Sequence, residues 1–158
     1  GLREMSEKLK GGLFGMRKEN NLFQHMVEEF KKTIFDMLQK CRCLYNYRDW
    51  NGLDNFLMYQ PEDYELIGCV NDENFLLDSD FFYKAFKHDW NERQGSVTTI
   101  PDEESFYTML YRTGDIISYG TNSDKPLCTI SMGGNRKKQY FCICKDSVGY
   151  SNSMLNWL

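Results

Sequence analysis

From Phe23 onward, apolar side chains recur at Val27, Phe30, Ile34, Met37, Cys41 and Leu44, spaced alternately by four and three. That rhythm keeps one stripe of a helix facing a neighbour over several turns, and it predicts a long helix. Asn20 or Asn21 is placed to cap its start, while Gly11, Gly12 and Gly15 are expected to break the shorter upstream pattern of Leu2, Met5 and Leu9. Such a seam suits packing onto the chain's own domain, or onto the same helix of a second copy across residues 21–45.

Trp50, Leu53, Phe56 and Leu57 are spaced for a second, shorter helix near the Asn51-Gly52 break. Residues 64–70 and 73–78, separated by Asn71-Asp72, look extended, and one of them is expected to be a short strand. Ser79 or Asp80 can cap the next helix, in which Phe82, Ala85, Phe86 and Trp90 share a face and which ends near Gln94-Gly95. Pro101 then stands ahead of Asp102, Glu103 and Glu104, acids suited to the positive end of a helix dipole. Phe106, Met109 and Leu110 are expected to form the buried stripe of that helix, and Thr113-Gly114 to stop it. Beyond it the period shortens: 115–119 and 127–132 read as strands, Gly133-Gly134-Asn135 as a turn, and 139–144 as the partner strand closed by Lys145-Asp146.

The order strand, helix, helix, strand, glycine-tipped basic turn, strand over residues 73–146 is that of a winged-helix module. The expected architecture is therefore α+β, with a long N-terminal helix and a helical segment followed by a winged-helix-like module with a C-terminal β-hairpin. A helical arm over 1–45 and an α+β domain over 46–158 are the expected divisions.

A chain of 158 residues that is 41% hydrophobic and 15% aromatic can bury a core, which excludes a disordered tail. No stretch approaches the roughly 20 apolar residues of a membrane span, and no basic-then-apolar leader opens the chain. The expectation is a cytoplasmic protein with no membrane partner; the opening Gly1-Leu2-Arg3 lacks an initiator Met, which leaves room for a longer parent chain. The net charge of −4 conceals an asymmetry: residues 1–45 sum to +3, 46–78 to −7, 79–115 to −3 and 116–158 to +3.

Candidate chemistry is sparse. The six cysteines (Cys41, Cys43, Cys69, Cys128, Cys142 and Cys144) are expected to be reduced core residues. Cys41-Arg42-Cys43 and Cys142-Ile143-Cys144 could supply four thiols to zinc, but structural sites space their cysteine pairs by two to four residues, so no metal or other cofactor is expected. His25 and His88 are the only histidines, and His88-Asp89 reads as a solvated helix surface, since adjacent helical positions diverge. No glycine-rich phosphate loop ending in Lys-Ser or Lys-Thr occurs. We assign no catalytic residue and expect a non-enzyme.

The hairpin tip carries Arg136, Lys137 and Lys138, the cation cluster a phosphate backbone selects, or else charges that only deter edge pairing. Three runs (Phe81–Phe86, Glu104–Tyr111 leading to Gly114–Ile117, and Gly133–Phe141) resemble the winged-helix region near the C-terminal end of phage- and plasmid-type primase-helicase ATPases of mobile elements. The resemblance covers residues 74–146, under half the chain. It implies nucleic-acid engagement during replication or transfer of a mobile element, with no catalytic residues in this segment. DNA is then the expected partner, held by Arg136, Lys137 and Lys138 with Arg112, Tyr107 and Tyr111 nearby. Asp102-Glu103-Glu104 depart from this picture, because carboxylates at the start of a groove-reading helix repel phosphate. The alternative is a protein-interaction domain using Trp50, Tyr59 and Tyr64 as aromatic anchors.

Overall fold

The structure is a computed structural model. It describes residues 2–40, 44–46, 67–70, 72–94, 98–119, 125–131, 135 and 137–149. The fold is α+β and opens on a long N-terminal helix, α1 (Leu2–Lys40). Strands β1 (Leu44–Asn46), β2 (Gly68–Val70) and β3 (Asn74–Asp78) precede helices α2 (Ser79–Gln94) and α3 (Glu103–Arg112). Strands β4 (Cys128–Ser131) and β5 (Lys137–Cys144) follow, and a single helical turn, α4 (Lys145–Val148), is the last element among the described residues. Over 73–146 the described residues run strand, helix, helix, strand, strand, and Gly133 and Gly134 of the expected turn lie outside them. The short helix expected at 50–57 and the aromatics Trp50, Tyr59 and Tyr64 lie outside the described residues.

The five strands form one sheet in the order β1-β2-β3-β5-β4, antiparallel throughout except that β1 runs parallel to β2. β5 is the strand that joins the hairpin to the rest: Leu76 lies opposite Cys142 on one side, and Cys128 lies opposite Tyr140 on the other. Both extended segments at 64–78 therefore contribute strands, because each hydrogen-bonds the other. The strand expected at 115–119 is reduced to a single bridge, in which the Ile117 N–H donates to the Cys142 carbonyl at 2.9 Å. β4 pairs with Lys137–Tyr140 of the same strand, and Ile117 takes that edge two residues further on.

Successive side chains of a strand face opposite ways, so Phe75, Leu77, Phe141 and Ile143 share one face and enter the main core. α1 fills that core with Phe23, Met26, Val27, Phe30, Ile34 and Leu38. The Phe30 ring centre lies 5.4 Å from that of Phe86, 5.1 Å from Phe106 and 5.6 Å from Phe141, joining α1 to α2, α3 and β5. The helical arm expected over 1–45 is thus part of the core from Phe23 to Leu38. The homodimer expected through residues 21–45 loses its surface, because the chain's own rings occupy that seam. Leu44 leaves the seam for β1, where pairing with Gly68 claims its backbone.

The break expected at Gly11, Gly12 and Gly15 is absent, and α1 is continuous from Leu2. Glycine costs a helix about 1 kcal/mol relative to alanine but keeps its N–H donor, so it weakens a helix without removing a rung as proline does.

α2 is capped one residue earlier than expected: the Phe81 N–H donates to Asp78 Oδ1 at 3.1 Å. Ser79 is buried instead, its hydroxyl donating to the Gln139 carbonyl at 3.0 Å. In α3 the N-cap is Asp102, whose Oδ1 accepts from the Ser105 N–H at 3.2 Å. Replacing Asp102 by alanine is expected to lower stability by about 1 kcal/mol, read as a shift in the urea midpoint at constant slope. Thr113 ends α3, and Gly114 follows at φ +79°, a conformation that β-carbon sterics deny most residues.

Candidate nucleic-acid interface

The side chains expected to meet a nucleic acid belong to the β4–β5 hairpin and to α3. At the hairpin, Asn135 and Lys137 are exposed. Lys138 is half-buried opposite Ile130, and its Nζ lies 3.6 Å from Asp78 Oδ2, so part of its charge is already balanced within the chain. Arg136 lies outside the described residues. Arg112 is exposed at the C-terminal end of α3, where its charge complements the helix dipole.

The two tyrosines do not accompany these cations. Tyr107 is fully buried, and its hydroxyl donates to the Ser79 carbonyl at 2.6 Å. Burial holds that hydroxyl well above its ordinary pKa. Tyr107 is a core residue linking α3 to the start of α2 and cannot touch a nucleic acid, which corrects the expectation. Tyr111 is half-buried and packs against the same core. The buried stripe of α3 is Phe106, Tyr107 and Leu110, with Met109 at its margin. The i, i+3 relation of Tyr107 to Leu110 is the signal that places it there.

The sequence marked Asp102-Glu103-Glu104 as repulsive, and the fold extends that field. Asp78 at the end of β3 and Asp80 in the first turn of α2 both act on the Glu103 carboxyl. Burial first, and then the Asp80 charge, raise Glu103 above the usual carboxylate range, while Lys84 opposes them. A groove of about 690 Å³ separates Asp102, Glu103, Glu104 and Thr108 from Lys125, Leu127, Thr129 and Gln139. Acidic side chains therefore line the space between α3 and the hairpin. Asp78 and Asp80 could not be assigned to this cluster from local pattern, since it takes the β3–α2 junction to bring them beside α3.

Elsewhere, side chains that can carry chemistry are held in structural roles. His88 Nε2 lies 3.3 Å from Glu92 on an exposed face, while Asp89 accepts a hydrogen bond from Thr33 Oγ1 at 2.8 Å, so His88 and Asp89 do not pair. His25 lies beside Trp90, with ring centres 5.5 Å apart. Cys69, Cys142 and Cys144 are free thiols. Burial pushes Cys69 up to about 12, and burial with the nearby Cys144 does the same for Cys142, so both are protonated and poor nucleophiles at neutral pH. Cys41 and Cys43 lie outside the described residues. Among the described residues, no group of three or more His, Cys, Asp or Glu could hold a metal ion. Nor is any helix among them long and apolar enough to cross a membrane.

Comparison of the chain with protein-family models, with curated proteins and with solved structures finds no match.

Proposed function

We propose that this chain is a non-enzymatic module of winged-helix type that contacts nucleic-acid phosphate through its hairpin rather than through α3. The observation that carries the reading is the division of charge between the two elements. The hairpin brings Lys137 into solvent next to Arg136 and Lys138 in sequence, whereas α3 starts among carboxylates. Phosphate contacts of this kind position a protein on a nucleic acid without reading its bases. The element order over 74–144 supports the winged-helix reading, and the resemblance to primase-helicase ATPases of mobile elements suggests replication or transfer as the setting. A second reading, docking to a protein, is favoured by the acid-lined groove and by the burial of Tyr107, which leave α3 without a base-stacking aromatic at that position.

Fluorescence anisotropy with labelled single- and double-stranded DNA separates the two. Two to three phosphate contacts predict that affinity falls about 10- to 40-fold between 50 and 200 mM salt. The triple variant Arg136→Ala, Lys137→Ala, Lys138→Ala is expected to abolish binding at the lower salt. Absence of binding by the parent chain at low salt rejects the hairpin contact and leaves the protein-docking reading.

A further inference from the structure

Lys138 and Tyr140 lie two residues apart on β5, so their side chains leave the same face of the sheet, and Tyr140 stands opposite Asp78 of β3. Asp78 is therefore the diagonal cross-strand neighbour of Lys138, at a separation that a lysine side chain spans, and Lys138 Nζ lies 3.6 Å from Asp78 Oδ2. Gln139, between Lys138 and Tyr140, lines the groove with Asp102, Glu103 and Glu104. Alternation along the strand sends Lys138 to the other face, away from those carboxylates. The two ends of the ion pair are held differently. Asp78 is fixed: its N–H donates to the Ile67 carbonyl at 2.9 Å, and its Oδ1 accepts from the Phe81 N–H at 3.1 Å. Its side chain is 13% exposed and sits at the positive end of the α2 dipole. The Lys138 ammonium, 40% exposed, reaches it on a flexible four-carbon stem. Their separation is longer than that of a charge-assisted hydrogen bond, and a pair this open to water contributes little to stability. Withdrawing Lys138 leaves the Asp78 carboxylate with the Phe81 N–H and the helix end, so the pair opens at the lysine at small cost.

We propose that Asp78 is an internal stand-in for phosphate that holds Lys138 until a nucleic acid displaces it, a restraint on the hairpin contact that rests on the nucleic-acid reading given above. Both acceptors offer a negative oxygen to the same ammonium, so binding exchanges one ion pair for another instead of adding one. The exchange has a direction. A polyanion that gains Lys138 releases a condensed counterion, whereas Asp78 keeps its hydrogen bond to the start of α2. Lys137, exposed on the same strand, makes the first contact, and Lys138 then crosses from carboxylate to phosphate. The restraint withholds part of the hairpin's charge from an isolated anion and yields it to a chain of phosphates.

Asp78→Asn tests the idea on the full chain, because asparagine caps a helix as well as aspartate does and α2 keeps its start. Asp78→Ser, also a capping residue, is the second variant, and a urea midpoint near the parent's shows that each remains folded. Affinity for labelled single-stranded DNA, read by fluorescence anisotropy at about 50 mM salt, should rise about two- to fivefold in both, which is what an exposed ion pair is worth. The gain should be lost when Lys138→Ala is added. Lys138→Ala alone should reduce the slope of log affinity against log salt by about 0.7, one phosphate contact. A gain of the same size with and without Lys138, no gain in either Asp78 variant, or a slope indifferent to Lys138→Ala overturns the proposal and leaves the hairpin contact standing. If neither the parent nor the Asp78 variants bind, the nucleic-acid reading falls and the proposal falls with it. Binding by the Asp78 variants but not by the parent supports the restraint in its strongest form.

Discussion

Replacing Phe30 by alanine is expected to destabilise the protein by about 3–5 kcal/mol, the largest effect of any single substitution considered. Phe30 is fully buried and packs its ring against Phe86, Phe106, Tyr107 and Phe141, drawn from α2, α3 and β5. These neighbours are aromatic and belong to separate elements, so they cannot close over the void without moving a helix off the sheet. The cavity contribution should therefore lie at the upper end of its range, and edge-to-face contacts with Phe86, Phe106 and Tyr107 are lost with it. Since domains are stable by about 5–15 kcal/mol in total, the variant should be partly unfolded near its physiological temperature. Urea titration followed by far-UV circular dichroism measures the effect. A loss below about 1 kcal/mol would mean that α1 is not seated on the sheet as described. Phe30→Leu, which keeps most of the volume, should cost about half as much or less.

Gly68→Ala is expected to cost about 2–3 kcal/mol for the opposite reason, overpacking. A β-carbon at position 68 would run into the Leu76 carbonyl oxygen and come within 2.8 Å of Leu77 Cδ2 and 3.0 Å of Leu77 Cα. Leu76 and Leu77 belong to β3, which is paired on both sides, so its backbone cannot yield without breaking register with β5. β2 must move instead, and β1, paired to it, moves too. Hydrogen exchange at Cys69 and Val70 should rise more than exchange in α2 or α3, which localises the damage to the β1–β2 edge. An unchanged urea midpoint would show that β2 does not approach β3 this closely.

The parts of the fold legible in the sequence are those decided by near neighbours. Asp102 with Glu103 and Glu104 marks the start of α3, Thr113-Gly114 its end, and the change of period after 115 the hairpin, because caps, dipoles and alternation act within a few residues. Leu44 continues the four-three spacing, and only its pairing with Gly68 shows that it is strand. The full burial of Tyr107 depends on a distant partner, since the Ser79 carbonyl that satisfies its hydroxyl lies 28 residues away. The candidate interface divides in the same way. The cationic run at 136–138 is visible as three adjacent letters, while the joining of Asp78 and Asp80 to Glu103 depends on contacts that local pattern does not specify.

The position of β5 between β3 and β4 also bears on how the chain is made. The strand that completes the sheet, and that supplies Phe141 to the ring cluster around Phe30, is synthesised 111 residues after Phe30 itself. At about 5–20 residues per second, ribosomal synthesis leaves the apolar stripe of α1 without its final cover for roughly 6–22 s. During that interval Phe23, Val27, Phe30 and Ile34 offer a hydrophobic helix face to whatever is near. The nascent chain is therefore most exposed to aggregation before Phe141 emerges, and holding by a chaperone would matter most in that window.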